Sequence, residues 1–122
     1  MTDKLILYIE DNVRLRENVC EVLQMHGYGV ISTSLGLEGL RMAAYRHPDL
    51  ILLDTNLPDI HGGVVLTQLK KTPGLEHVPV IAVTGDRIAN HDNYDACLIK
   101  PFKIVDFIAV VQRFLEAAEQ HK

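Results

Sequence analysis

Five residues able to do polar chemistry sit where apolar runs of this chain stop. Glu10 and Asp11 follow LILYI, Asp54 follows LILL, Thr84 ends VPVIAVT, and Lys100 follows ACLI. Three carboxylates gathered at one place repel one another unless a cation joins them. A hard divalent ion, Mg²⁺ (or Mn²⁺), suits a site of a few carboxylates, retained waters and a phosphate oxygen. Beside such an ion a carboxylate can act as a nucleophile and take a phosphoryl group as an acyl phosphate. Asp54 is the candidate for that role. The Lys100 ammonium and the Thr84 hydroxyl would stabilise charge on the phosphoryl oxygens.

Taken singly, each residue has an ordinary explanation. A strand-end Asp caps helices or forms turns, and Glu10-Asp11 could cap a following helix. Lys100 could be a solvated lysine and Thr84 a residue of high β-propensity. The elements that carry them decide the matter. Five short runs suit strands: Leu5–Glu10, Tyr28–Thr33, Leu50–Asp54, Val78–Thr84 and Ala96–Lys100. Most are apolar on consecutive residues, the pattern of strands covered on both faces of a parallel sheet.

Helical patterns lie between them. Val13–His26 places Leu15, Val19, Val22 and Leu23 on one stripe. Asn12 or Asp11 can cap its start, and Gly27 suits a left-handed C-terminal cap. Leu37–Arg46 carries Leu37, Leu40, Ala43 and Ala44 and is closed by Pro48. Gly63–Lys71 carries Val64, Val65, Leu66 and Leu69 and is broken by Thr72-Pro73-Gly74. Lys103–Gln120 is the longest, with an inner stripe of Ile104, Phe107, Ile108, Val111 and Leu115. Strict alternation predicts an α/β, doubly wound five-stranded parallel sheet of flavodoxin-like order 2-1-3-4-5. Ligands of such sheets sit outside the carboxyl ends of the strands, where the strand order reverses. The polar residues above all end strands there.

A length of 122 residues predicts a single domain, 1–122, with a core large enough to need no staple. The net charge of −4 lacks the basic footprint of a nucleic-acid binder. No apolar run approaches the ~20 residues of a membrane span, and the N-terminus lacks signal-peptide character. Cys20 and Cys97 form no CxxC pair and read as free thiols of a reducing cytoplasm. The six histidines show no HxxxH spacing, and His61 in the loop after Asp54 reads as a surface residue.

The motifs ED at 10–11, DTNLPDIHG at 54–62, TG at 84–85 and KPF at 100–102, in order, resemble those of receiver domains of two-component response regulators, chemotaxis-regulator-like. The resemblance spans essentially the whole chain. It implies that Asp54 is the phosphoacceptor and that Glu10 and Asp11 bind Mg²⁺ with Asp54 and the Asn56 backbone carbonyl. It implies that Thr84 follows the phosphoryl group during switching and that Gly85 leaves room for donor or water. Lys100 matches the family lysine, the Lys100–Pro101 bond is expected to be cis, and Asn56 and Asp86 hold positions that tune loss of the phosphoryl group. The implied protein is a phosphorylation-dependent signalling switch with autodephosphorylation, not an enzyme acting on external substrates. Its donor would be a sensor histidine kinase or histidine phosphotransfer protein, and its target a further protein. Direct binding to nucleic acid or membrane is not expected.

Two features depart from the family. Cys97 occupies a position usually held by Tyr or Phe, which swings as the threonine moves. A cysteine is too small for that and reads as a buried filler rather than a redox group. The stretch GDRIANHDNYD between the fourth and fifth strands is near the minimum for a crossover and rich in poor helix formers. It predicts a short or irregular fourth helix. The last helix carries a second apolar stripe, Val110, Phe114 and Ala117, equally suited to a homodimer or partner surface and to packing under that reduced helix. A degenerate receiver, acting as a phosphorylation-independent interaction module, is the alternative. A phosphatase of the haloacid-dehalogenase type would want an Asp where Asn56 stands. A flavin carrier would want a Ser/Thr/Gly-rich loop where EDNVRLRE stands.

Overall fold

A computed structural model describes residues 4–85 and 93–120. The aliphatic runs form the strands β1 (Leu5–Ile9), β2 (Gly29–Thr33), β3 (Leu50–Leu53), β4 (Val80–Thr84) and β5 (Ala96–Ile99). The amphipathic segments form the helices α1 (Val13–Met25), α2 (Gly36–Arg46), α3 (Gly62–Lys71) and α4 (Ile104–Gln120). All four strand pairings are parallel, in the order β2-β1-β3-β4-β5. The fold is therefore the predicted flavodoxin-like doubly wound sheet. The expectation of a short fourth helix falls on residues 86–92, outside the described residues, as does Asp86.

Consecutive apolar residues are explained by two cores, one on each side of the sheet. Ile6 and Tyr8, Leu50 and Leu52, and Ile81 and Val83 face α1 and α4, where they meet Val19, Leu23, Phe107 and Val111. Leu7 and Ile9, Ile51 and Leu53, and Val80 and Ala82 face α2 and α3, where they meet Ala43, Val65 and Leu69. A strand alternates sides with period two, so both residue classes must be apolar when both faces are covered.

Each strand is shorter than its run at one end: β1, β3 and β5 stop one residue early, and β2 and β4 start late. Glu10, Asp54 and Lys100 lie just past the last residues of β1, β3 and β5, although their N–H groups still bond to neighbouring strands, Glu10 to Thr33, Asp54 to Ile9 and Lys100 to Thr84. The carboxylates end the first two. Glu10 Oε2 accepts from Asn12 N at 3.1 Å and Asp54 Oδ1 from Asn56 N at 3.1 Å, local bonds that turn the chain out of the ladder.

Three helix faces also differ from expectation. In α2 the buried side is Gly36, Gly39 and Ala43, while Leu37 is 56% exposed and Ala44 is exposed. Gly39 lets the helix approach closely, since a Cβ there would run into the Ile9 side chain. That close approach rotates the helix so that its glycine edge, not Leu37, meets the sheet. Val64 of α3 and Ile104 of α4 likewise face outward. Val110 and Phe114, the proposed second stripe of α4, are half-buried and packed on the core, whereas the Ala117 side chain lies outside the described ones.

Asn12 is the cap of α1, its Oδ1 accepting from Leu15 N at 3.0 Å. The α2 N-terminus is capped from a distance. Asp59, in the loop after β3, accepts from Gly36 N at 2.8 Å and Leu37 N at 2.9 Å. These bonds hold its carboxyl below the usual carboxylate range.

Candidate functional site

The period of two that builds the cores also places the polar strand ends. Glu10 continues the Ile6–Tyr8 side of β1, Asp54 the Leu50–Leu52 side of β3, and Lys100 the side of Leu98 in β5. All three emerge at the carboxyl edge over the α1/α4 face. Glu10 and Asp54 are buried, and Lys100 reaches them from the rim. Its Nζ lies 2.7 Å from Glu10 Oε1 and 3.5 Å from Asp54 Oδ2. Asp11 is exposed, and one carboxylate oxygen from each of Glu10, Asp11 and Asp54 falls within 4.8 Å of the others. Such a set of hard oxygen donors fits a divalent cation.

The electrostatics match a site short of positive charge. Burial pushes the Asp54 carboxyl up to about 7; the Asn56 N–H opposes the shift, Glu10 adds to it and Lys100 opposes it. Burial alone would lower the Lys100 pKa, but the Glu10 and Asp54 carboxylates outweigh it and raise it. Tyr8 lies beneath this edge, and its hydroxyl donates to Glu10 Oε1 at 3.2 Å. Burial and the adjacent Glu10 charge raise its pKa far out of the working range, so it remains a donor. Arg16 of α1 donates to the Glu10 carbonyl at 2.7 Å.

The neighbouring register positions face the other way. Thr84 ends β4, and Thr55 lies two residues beyond the Leu53–Ala82 pair, directly across from it. Thr55 Oγ1 donates to Thr84 Oγ1 at 2.7 Å, and both residues are buried. The loop from Asn56 to His61 folds back over Thr55. It is held by an antiparallel bridge between Asn56 and His61 and by a bond from Gly62 N to Thr55 O at 2.9 Å. Gly62 must be glycine, since a Cβ there would lie 2.6 Å from Thr55 Cα. His61 caps α3, its Nδ1 accepting from Gly63 N at 3.0 Å, and is exposed as expected. Gly85 is exposed, and among the described residues a Cβ there would meet nothing within 4 Å.

Lys100–Pro101 is a cis peptide. Cys97 pairs in register with Ala82 and packs on the α2/α3 core. Burial pushes its thiol up, away from the thiolate that redox chemistry uses. Both cysteines are free. Beside Lys100 a cavity of about 610 Å³ opens between α1 and the chain after β5, lined by Asn12, Leu15, Asn18, Val22 and Phe102.

The structure thus gathers Glu10, Asp11, Asp54 and Lys100 at one point, with Asn56 and Pro101 next to them in the chain, while the Thr84 side chain turns to the α2/α3 side. Tyr8, Thr55 and Asp59 escaped the sequence reading. Tyr8 was legible, being a lone phenol two residues before Glu10 on the same side of the strand. Thr55 needed the pairing of β3 with β4, which no local pattern gives.

Comparison with known proteins bears on the same residues. The chain matches the response regulator receiver domain family over residues 6–112. It is 34% identical over 118 residues to the polar-differentiation response regulator DivK of Brucella ovis, covering 92% of this chain and 96% of that protein. The receiver domain of a sensor histidine kinase from Pseudomonas aeruginosa, whose structure holds a magnesium ion coordinated in the active-site cleft, superposes with a TM-score of 0.86 at 26% identity, covering 94% of this chain and 99% of that one. A CheY-like receiver from Methanospirillum hungatei superposes with a TM-score of 0.88 at 26% identity, covering 99% of this chain and all (100%) of the other. Among the described residues no helix is long and apolar enough to cross a membrane. Fold, strand-edge chemistry and relatives agree, and the chain belongs to the response regulator receiver domain family of two-component signalling.

Proposed function

We propose that this chain is a phosphorylation-dependent switch, residues 1–122 forming one receiver domain, with Asp54 as phosphoacceptor. The observation that carries the reading is the buried Asp54 carboxyl with the Lys100 ammonium 3.5 Å from it and Glu10 and Asp11 alongside. Asp54 would attack the phosphorus of a phosphohistidine on a sensor kinase or histidine phosphotransfer protein. The new bond is the Asp54 acyl phosphate, the broken one is P–N, and the imidazole leaves with a proton. The cavity beside Lys100 offers such a donor protein apolar surface next to the acceptor.

Glu10, Asp11, Asp54 and the Asn56 carbonyl would hold Mg²⁺ (or Mn²⁺). Bound there, the ion supplies positive charge against the phosphoryl oxygens and relieves repulsion among the carboxylates. Tyr8 and Asn12 N–H fix the Glu10 carboxylate. Lys100 would turn from Glu10 and Asp54 to a phosphoryl oxygen, and Thr84 would donate its hydroxyl to another. Water reaching the exposed Gly85 side of the site would later cleave the acyl phosphate, releasing orthophosphate and restoring Asp54. Asn56 and Asp86 would tune that step. The output is a protein contact. The exchange would take place in the cytoplasm.

The test is incubation with Mg²⁺ and acetyl phosphate or phosphoramidate, followed by mass spectrometry with Asp54→Ala as control. A hydroxylamine-labile, phosphate-sized adduct that needs Mg²⁺ and Asp54 is the expected result. Absence of the adduct on folded protein would replace this reading with that of a phosphorylation-independent interaction module.

A further inference from the structure

We infer that Thr55 is a positioning residue, a hydrogen-bond latch that holds Thr84 in its resting place and must release it when Asp54 is phosphorylated. The inference rests on the phosphoacceptor reading above. Three observations carry it. Thr55 Oγ1 donates to Thr84 Oγ1 at 2.7 Å, a short bond between two buried hydroxyls. The register puts both side chains on the α2/α3 side of the sheet, whereas Asp54, Glu10 and Lys100 emerge on the α1/α4 side. The Thr84 hydroxyl is therefore engaged on the side away from the acceptor. The loop over Thr55, closed by Gly62 against its backbone, leaves Thr55 2% exposed, so water does not compete for the bond.

The partner across the strand explains why such a latch is useful here. The β5 residue beside Ala82 is Cys97, packed in the core on that same side. A cysteine has no bulk with which to hold Thr84 out or follow it in. Thr55 supplies by hydrogen bonding a resting preference that side-chain volume at residue 97 does not supply. A net hydrogen bond of about 1 kcal/mol biases the two positions of Thr84 by about fivefold. Because only the released state binds a phosphoryl group fully, the apparent affinity for that group falls by the same factor.

The experiment uses fluoroberyllate with Mg²⁺, a phosphoryl mimic that binds a carboxylate oxygen, titrated into the full chain by calorimetry or NMR. Thr55→Val keeps the shape and removes the hydroxyl, and is expected to bind fluoroberyllate about fivefold tighter than wild type. Thr55→Ser, which keeps the hydroxyl, is expected to bind like wild type. In a Thr84→Ala background, Thr55→Val is expected to change nothing, a result that a merely structural role for Thr55 would not give. In the unaltered chain the Thr55 hydroxyl proton is expected to exchange slowly at rest and faster with fluoroberyllate. Equal or weaker binding by Thr55→Val, a gain that persists without the Thr84 hydroxyl, or hydroxyl protection unmoved by fluoroberyllate would each overturn the latch. Wild-type protein that takes no fluoroberyllate, alongside an equally inert Asp54→Asn, would remove the phosphoacceptor reading and the latch together.

Discussion

The Lys100 ammonium is nearer to Glu10 than to Asp54. Its Nζ is 2.7 Å from Glu10 Oε1 and 3.5 Å from Asp54 Oδ2. One cation thus balances two buried carboxylates, and Asp54 has the weaker share. The division suits the phosphoacceptor role proposed for Asp54, because its oxygen is held less tightly than that of its neighbour.

Removing that cation takes from both buried carboxylates the ammonium that pairs with them among the described residues. Lys100→Met should lower unfolding stability by about 2 kcal/mol, less than a fully buried pair because the ammonium still meets solvent. Denaturant unfolding in EDTA reads the loss. Added Mg²⁺ should recover much of it, since a divalent cation at the same carboxylates replaces the missing charge. Equal loss with and without Mg²⁺ would show that the lysine acts through packing of its stem.

Asp54 gives the fold a pH dependence of definite sign. Its pKa is raised from 3.8 to about 7, chiefly by burial. Between those values the folded chain holds a proton that the unfolded chain has lost, so stability from this group is full below the lower value and falls as pH rises through the upper one. Asp54→Asn cannot lose that proton. Metal-free Asp54→Asn should therefore be more stable than wild type at pH 8 by on the order of 1–2 kcal/mol and nearly equal to it at pH 4. Thermal unfolding of the two proteins across pH, compared as a difference, isolates the effect from other titrating groups. A difference that grows toward low pH would reverse the sign and contradict the burial argument.

Gly62 closes the acceptor loop over Thr55, and the space for it is backbone, which cannot yield cheaply. Gly62→Ala brings a Cβ to 2.6 Å from Thr55 Cα and 2.9 Å from the Asp54 carbonyl. The substitution should cost about 1–3 kcal/mol and displace the loop. Fluoroberyllate binding should weaken as well, whereas Gly85→Ala, which meets nothing among the described residues, should leave stability within about 0.5 kcal/mol of wild type. Equal effects at the two glycines would show that the loop adjusts freely.

Most of the sheet and the centre of the site were legible in the sequence for one reason. Strands covered on both faces read as unbroken apolar runs, and a charged or hydroxyl residue at the end of such a run has nowhere to go but the edge of the sheet. Glu10, Asp54, Thr84 and Lys100 could thus be placed without knowing a single contact. What escaped depends on relations between segments. Leu37 looked buried by helical spacing, but the close approach of Gly39 to Ile9 decides which side of α2 faces inward. Thr55 had no role until β3 lay beside β4. Asp59 had no local partner to suggest its role, since its partners lie 22 and 23 residues earlier.

That long-range cap links the acceptor loop to a helix with no other tie to it in sequence. Asp59 accepts from Gly36 N and Leu37 N, while Leu35, the residue at the cap position, offers no side-chain acceptor. Asp59→Ala removes both bonds and exposes two donors at the helix start. The helix start should lose stability, as it does when an N-cap is removed. Asp59→Asn, which keeps one acceptor oxygen but loses the charge that favours a helix N-terminus, should cost less. Because the loop also carries Asn56 and packs over Thr55, loosening its far end should reach the acceptor. Amide hydrogen exchange reads both ends at once. Faster exchange at Gly36 and Leu37 together with faster exchange at Asn56 and Gly62 is expected. Exchange that quickens only at α2 would show that the loop is held by the Asn56–His61 bridge alone, and that α2 does not sense the state of Asp54 through Asp59.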